Sequence, residues 1–218
     1  MNLSLVIFYC FEAMPVIAGL IYWKNVKNSY FKWFVAYLTY TVVADLSGIT
    51  MVFLKIHNQV FYEYFVIPVE FLFFFWLFFK SLISAKHKRL PAICAGIYLS
   101  GLLIDAVYFA RHHLHFYSFS YSIGNLLLLI LILQFFIQLI SSDELLKYRS
   151  NMMFWISTGL LVFYLGSCPY YGLTNTFIAK YYKVFVIYKN IVLALDCIMY
   201  LMFTFSFIWG KPNLRSSR

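Results

Sequence analysis

Phe116–Ile140 reads FYSFSYSIGNLLLLILILQFFIQLI, twenty-five residues without one charged side chain. As a helix rising ~1.5 Å per residue, it is long enough to cross the roughly 30 Å hydrocarbon layer of a bilayer. A strand of a membrane barrel would instead alternate apolar and polar side chains over about ten residues. The run is therefore read as a membrane-spanning helix. Six more of comparable character flank it: Leu3–Trp23, Trp33–Leu54, Val60–Phe79, Leu90–Phe109, Met152–Leu173 and Lys183–Trp209. The links between them are short, and short links make successive helices antiparallel. The fold class expected is an all-α membrane protein, a single seven-transmembrane-helix bundle over residues 1–218.

Composition points the same way. Hydrophobic residues make up 63% of the chain and charged residues 11%, with a mean hydropathy of +0.80. Soluble domains carry about 25% charge, so a water-soluble globule does not fit. The net charge of +9 could suggest nucleic acid as a partner. The basic residues lie between apolar runs and not on one soluble face, so they read as topology determinants and contacts to anionic lipid. The partner implied is the lipid bilayer and no nucleic acid. Cys10, Cys94, Cys168 and Cys197 all fall inside apolar runs without CxxC spacing, which predicts four free thiols and no zinc or redox centre. The first run lacks a basic start and a small-residue cleavage pattern, so it reads as a retained helix.

Basic asymmetry sets the expected orientation. Twelve Lys and Arg residues fall on one side of the seven runs, from Lys24 and Lys27 to Arg215 and Arg218. Four fall on the other side (Lys55, Arg111, Lys180 and Lys183), and Lys189 lies inside the last run. The positive-inside rule then puts the N-terminus outside and the C-terminus in the cytoplasm. For a bacterial cell this is the inner, cytoplasmic membrane.

The acidic residues are the informative ones. Of eight, only Asp143 and Glu144 sit in a link; Glu12, Asp45, Glu63, Glu70, Asp105 and Asp196 fall within the apolar runs. A charge at the centre of a spanning helix costs about 2.5–3.5 kcal/mol on insertion scales, so such residues face the bundle interior and mark function. Glu12, Asp45 and Glu70 each lie nine or ten residues from the outer end of their run, about 14 Å deep, and Asp196 reaches a similar level. Four carboxyls from four helices thus share the midplane. With one cation in the runs, they cannot all be ionised in a dry core: protons, water or a bound cation must balance them. Glu63 and Asp105 lie nearer the outer surface. Glu63 and Glu70 are seven apart and so share one helix face, while Lys189 is expected to meet Glu63 or Asp105 from another helix.

Two readings follow. The plainer is a polar network that fixes helix register, with the acids bonded to Thr41, Asn125, Tyr200 or backbone carbonyls. The other is a working cavity for a ligand, an ion or a proton. Pro15, Pro68 and Pro169 inside runs favour an irregular interior, because each removes a helical hydrogen bond. The run of His112, His113 and His115 reads as a solvated outer loop.

Several known architectures fail on their own motifs. A microbial rhodopsin would place an aspartate four residues before its seventh-helix lysine, whereas Asp196 follows Lys189 by seven. Zinc-dependent intramembrane hydrolases need histidines at membrane depth, and His57, His87, His112, His113 and His115 all lie in links. Transporters built as two three-helix repeats carry Pro-Gln pairs, and no Pro-Gln occurs. The stretch Asn151–Tyr164, NMMFWISTGLLVFY, resembles the sixth-helix entry of uncharacterised bacterial seven-helix membrane proteins, and Glu70 in Val-Glu-Phe is similar to their mid-third-helix glutamate. Similar blocks form the membrane parts of sensor kinases, so the resemblance implies sensing. It carries over no catalytic residue and no cofactor.

The function expected is a receptor- or sensor-like bundle with an internal polar pocket bounded by Glu63, Glu70, Asp105 and Lys189. Only nine residues follow Trp209, so its signal would pass to a separate cytoplasmic signalling protein. The alternative is a proton- or cation-coupled carrier using Glu12, Asp45, Glu70 and Asp196; an intramembrane enzyme lacks a nucleophile–base or metal set. In a cysteine-free background, single cysteines at the N-terminus and at 111–115 are expected to react with impermeant thiol reagents on intact cells. Cysteines at 86–89 or 215 are expected to stay unlabelled, and labelling of the opposite sidedness would invert the topology.

Overall fold

The computed structural model describes residues 3–82, 89–109, 118–141 and 148–212. The histidine run, Asp143, Glu144 and the basic tail after Pro212 lie outside the described residues, as do Lys86 and Lys88. The described chain is helical, apart from one isolated bridge between Asn151 and Lys211. Its longer helices are α1 (Leu3–Ile21), α2 (Lys32–Phe53), α3 (Gln59–Ser81), α4 (Arg89–Ile104), α5 (Ser118–Ile140), α6 (Met152–Lys180) and α7 (Tyr182–Trp209). Six of them, α2 to α7, are long and apolar enough to cross a membrane; Val6–Ile21 of α1 is a shorter apolar helix. Helices pack on their neighbours in sequence, α1 closes back on α7, and α3 also touches α5.

Polarity is distributed as a lipid solvent demands. On α5 the side chains of Leu126, Leu133, Ile137 and Ile140 are exposed, while Asn125 is buried with Leu128, Leu131 and Ile132. Glu12, Glu63, Asp105, Ser157, Ser167 and Ser206 are likewise buried. Apolar side chains facing outward cost nothing in hydrocarbon, whereas a polar group must find partners inside the bundle.

Aromatic rings fill the interior. Phe71 of α3 is fully buried, with Tyr98 of α4, Tyr121 of α5 and Tyr164 of α6 at centroid distances of 5.1, 5.5 and 5.7 Å. Phe34 and Tyr37 of α2 meet Phe73 of α3, the latter pair nearly parallel at 4.3 Å, and Phe203 and Phe207 of α7 complete this second cluster. Lipid tails are as apolar as these rings, so close packing, and not expulsion of water, holds the helices together. Gly124 makes the first cluster possible: a Cβ there would lie 2.8 Å from the Phe71 ring.

Two π turns interrupt the α ladder, Tyr62–Val66 within α3 and Asp105–Phe109 after α4. The first ends two residues before Pro68, which has no N–H to return to the turn before it. The i→i+5 ladder takes up one extra residue and turns the preceding face by about 100°. Helices α1 and α6, by contrast, run on through Pro15 and Pro169.

The sixth helix is longer than the apolar run suggests. It extends past Leu173 to Lys180, and only Tyr181 (φ −137°, ψ 54°) separates it from α7. Stacking of Tyr170 on Phe185 and Tyr188, and of Phe177 on Tyr188, binds the two arms of this hairpin beyond the apolar stretch. At the other end, Asn151 caps α6 by accepting from the Met153 amide at 2.9 Å, and the Lys211 amide donates to the Ser150 carbonyl at 2.7 Å. The second of these bonds ties the exit of α7 to the entry of α6.

Gly124→Ala is expected to cost about 1–3 kcal/mol, the usual price of overpacking, seen as a lowered melting temperature in detergent. Gly96→Ala, where an added Cβ meets nothing within 4 Å, should leave stability unchanged or slightly raised.

Candidate functional site

The inward stripe of α2 recurs at helical spacing, with Phe34, Tyr37, Leu38, Ala44 and Gly48 buried. Thr41 and Asp45 lie on that stripe and open onto a cavity of about 260 Å³. Glu70 of α3 and Asp196 of α7 line the same cavity. Three carboxyls from three helices thus face one space, with no Lys, Arg or His among the lining residues.

Two of the acids are held by tyrosines. The Tyr62 hydroxyl donates to Asp45 Oδ1 at 2.9 Å, and the Tyr164 hydroxyl donates to Glu70 Oε1 at 2.6 Å. The second distance belongs to a short, strong hydrogen bond. Tyr62 reaches Asp45 because α2 is bare at Gly48, where a Cβ would collide with the Tyr62 hydroxyl. Asp196 has no hydrogen-bond partner among the described residues.

Glu12 of α1 does not line the cavity but adjoins it. It is 1% exposed, its Oε1 has no partner, and it lies within electrostatic range of Asp45. Asp196 in turn lies within range of Glu70, Asp45 and Glu12. The four midplane acids therefore form one electrostatic set.

Glu63 and Asp105 belong elsewhere. Together with Ser120 and Tyr121 they border a second cavity with about 10 Å³ of room, roughly one water molecule. Asp105 Oδ2 accepts from the Ser120 amide at 2.7 Å. A carboxylate from the π turn after α4 thereby caps the first turn of α5, where free N–H groups and the helix dipole favour negative charge. Gln59 Nε2 donates to Glu63 Oε1 at 2.9 Å. Both acids are buried, at 6% and 2% exposure; neither sits at a wet surface.

Three expectations are thereby corrected. Glu63 and Glu70 do not share a face, because the π turn between them breaks the seven-residue register. Lys189 is exposed on α7, so its amine is free to extend along the helix toward the interface and is not buried against Glu63 or Asp105. Of the residues expected to bound one pocket, Glu70 lines the larger cavity, Glu63 and Asp105 the smaller one, and Lys189 neither. Of the partners expected for the acids, Asn125 Nδ2 donates to the Tyr164 carbonyl at 3.3 Å and Thr41 to the Leu38 carbonyl at 2.8 Å.

Of the donors that do hold acids, Tyr164 counts as level with Glu70, whereas Tyr62, near the outer end of its run, counts as shallower than Asp45 and carries no sequence signal of its contact. Cys10, Cys94, Cys168 and Cys197 are free thiols. Among the described residues no group of three His, Cys, Asp or Glu side chains could hold a metal ion. No protein-family model matches the chain, and no curated protein or solved structure matches it significantly.

Tyr164→Phe is expected to destabilise the protein by about 1–3 kcal/mol, because it strips a donor from a half-buried carboxyl deep in the bundle. In a Glu70→Met background the same change should cost much less. Additive losses in thermal melts of the single and double variants would show that the two groups do not stabilise each other.

Proposed function

We propose that the chain is a seven-span bundle of the cytoplasmic membrane, N-terminus outside, that acts as a receptor-like protein for a small cationic ligand. The observation that carries this reading is the cavity shared by Asp45, Glu70 and Asp196, whose lining supplies negative charge and no fixed positive charge. Carboxyls this deep are costly unless something balances them, and a bound cation does so while gaining their attraction. The first span in this reading is α1, which brings Glu12 to the set. Output would pass to a separate cytoplasmic protein through the α6–α7 unit. Asp196 lies on α7, and the same helix ends bonded to the entry of α6 through Lys211 and Ser150. The proposed resemblance of Asn151–Tyr164 to uncharacterised bacterial seven-helix proteins, whose kind of block also occurs in sensor kinases, is in keeping with that role.

A cation-coupled carrier is the second reading, favoured by the electrostatic range that joins Glu12 to the three cavity acids. Purified protein in proteoliposomes separates the two. The receptor reading expects no Na⁺, K⁺ or H⁺ flux above that of empty liposomes under an imposed membrane potential. Saturable flux that disappears in Asp45→Asn would replace it with the carrier reading.

A further inference from the structure

The acids are only part of the cavity wall. Eight of its fifteen lining residues are aromatic, among them Tyr37, Tyr121, Phe163, Tyr171, Tyr200 and Phe203. Two kinds of cation could meet such a wall, and they make different demands. A dehydrated inorganic ion such as Ca²⁺ needs six to eight oxygens converging at about 2.3–2.6 Å. Among the described residues no three His, Cys, Asp or Glu side chains come close enough to hold a metal ion, and two of the cavity carboxyls already accept a tyrosine hydroxyl. A bulky, weakly hydrated cation needs diffuse negative potential over a wide surface. Aromatic faces supply it, most effectively when desolvated, and carboxylates set at several sides add net charge.

Size agrees. Cavities of about 150 Å³ admit a benzene-sized molecule, and this one measures about 260 Å³. Glu12, more than nine-tenths buried and with an unpartnered oxygen, backs the wall within electrostatic range of Asp45.

We infer that the cavity is a binding site for a small alkylated ammonium ion, its charge met by Asp45, Glu70 and Asp196 and its alkyl groups lying against the tyrosine and phenylalanine rings. The inference rests on the cation-binding reading above and names the class of ligand. Tyr200 is a discriminating residue. It is 8% exposed and packed at 6.1 and 6.0 Å against the rings of Phe8 and Phe203, so its ring face is fixed in place. Asp196, which no hydrogen bond occupies, supplies the most available charge.

The test measures thermal stability of the full chain in an uncharged detergent, titrated with tetramethylammonium chloride and, at matched ionic strength, with NaCl, KCl or CaCl₂. Tetramethylammonium should raise the melting temperature saturably and the inorganic salts should not. Asp196→Asn should weaken the apparent affinity by roughly tenfold or more. Tyr200→Leu should weaken it about tenfold while Tyr200→Phe, which keeps the ring, stays near the parent. Tyr171→Leu against Tyr171→Phe repeats the comparison should the Tyr200 variants fail to fold. If an inorganic cation shifts the melt saturably and tetramethylammonium does not, the ammonium inference falls and the cation-binding reading stands. Equal loss in the Phe and Leu variants of both tyrosines also overturns the aromatic recognition. If no cation gives a saturable shift, both fall.

Discussion

A polar group in hydrocarbon has no water to bond, and nearly every feature of this molecule is a way of meeting that constraint. Backbone groups meet it by forming helices. Side chains meet it by turning inward, so the bundle carries leucine and isoleucine outside and glutamate, aspartate, asparagine and serine inside. Once the polar groups are gathered there, they have to be matched with one another. Asp105 is matched to the open N-terminus of α5 and Glu63 to Gln59 one turn away. Asp45 and Glu70 are matched to tyrosine hydroxyls from α3 and α6. The aromatic content of the chain serves the same end, because tyrosine brings a large packing surface together with a donor at its tip.

Composition and run length made the helical membrane architecture legible from the sequence alone. Counting residues from the helix ends also placed Asp45, Glu70 and Asp196 at one depth, and these three face one cavity. Depth counting works because the helical rise is nearly constant and adds up along an uninterrupted helix. Azimuth is less forgiving. One extra residue in a π turn moves a side chain by about a third of a revolution, and nothing in YEYFV before Pro68 announces that turn plainly. Glu63 and Glu70 were therefore separable only in three dimensions. Lys189 escaped for a related reason: its depth was readable, but whether it faced the bundle or the outside depended on the α6–α7 hairpin, whose helical continuation through 174–180 lies beyond the apolar run. The stacked Tyr170, Phe177, Phe185 and Tyr188 that support that continuation are spaced for it, yet they look like ordinary interfacial aromatics in sequence.

The two groups of acids show how similar residues in similar settings acquire different work. Asp105 and Glu63 each engage an amide donor within the protein, and the space between them holds about one water. One oxygen of each is bonded inside the fold and the space beside them admits nothing larger than water, which suits a structural role. At the midplane each tyrosine hydroxyl likewise bonds one oxygen of its acid, but Asp45 and Glu70 line a cavity of about 260 Å³. A hydroxyl orients a carboxyl without cancelling its charge. Asp45 and Glu70 are thus held still while their capacity to attract positive charge persists.

That distinction bears on why we propose a binding role, and not only a polar network, for the central set. A network that only fixed helix register would satisfy its members with each other and close the space between them, since an open polar cavity gives up packing contacts in a bundle that depends on packing. Here Asp196 and the Glu12 Oε1 remain without partners among the described residues, and the space stays open beside them. Aromatic side chains large enough to fill it, including Tyr171, Tyr200 and Phe203, line its wall. A fold that lacks a Cβ at residue 124 so that Phe71 can enter leaves a gap of about 260 Å³ where three of its carboxyls meet. The unfilled volume and the unbalanced charge coincide, and a positively charged occupant of matching size answers both at once.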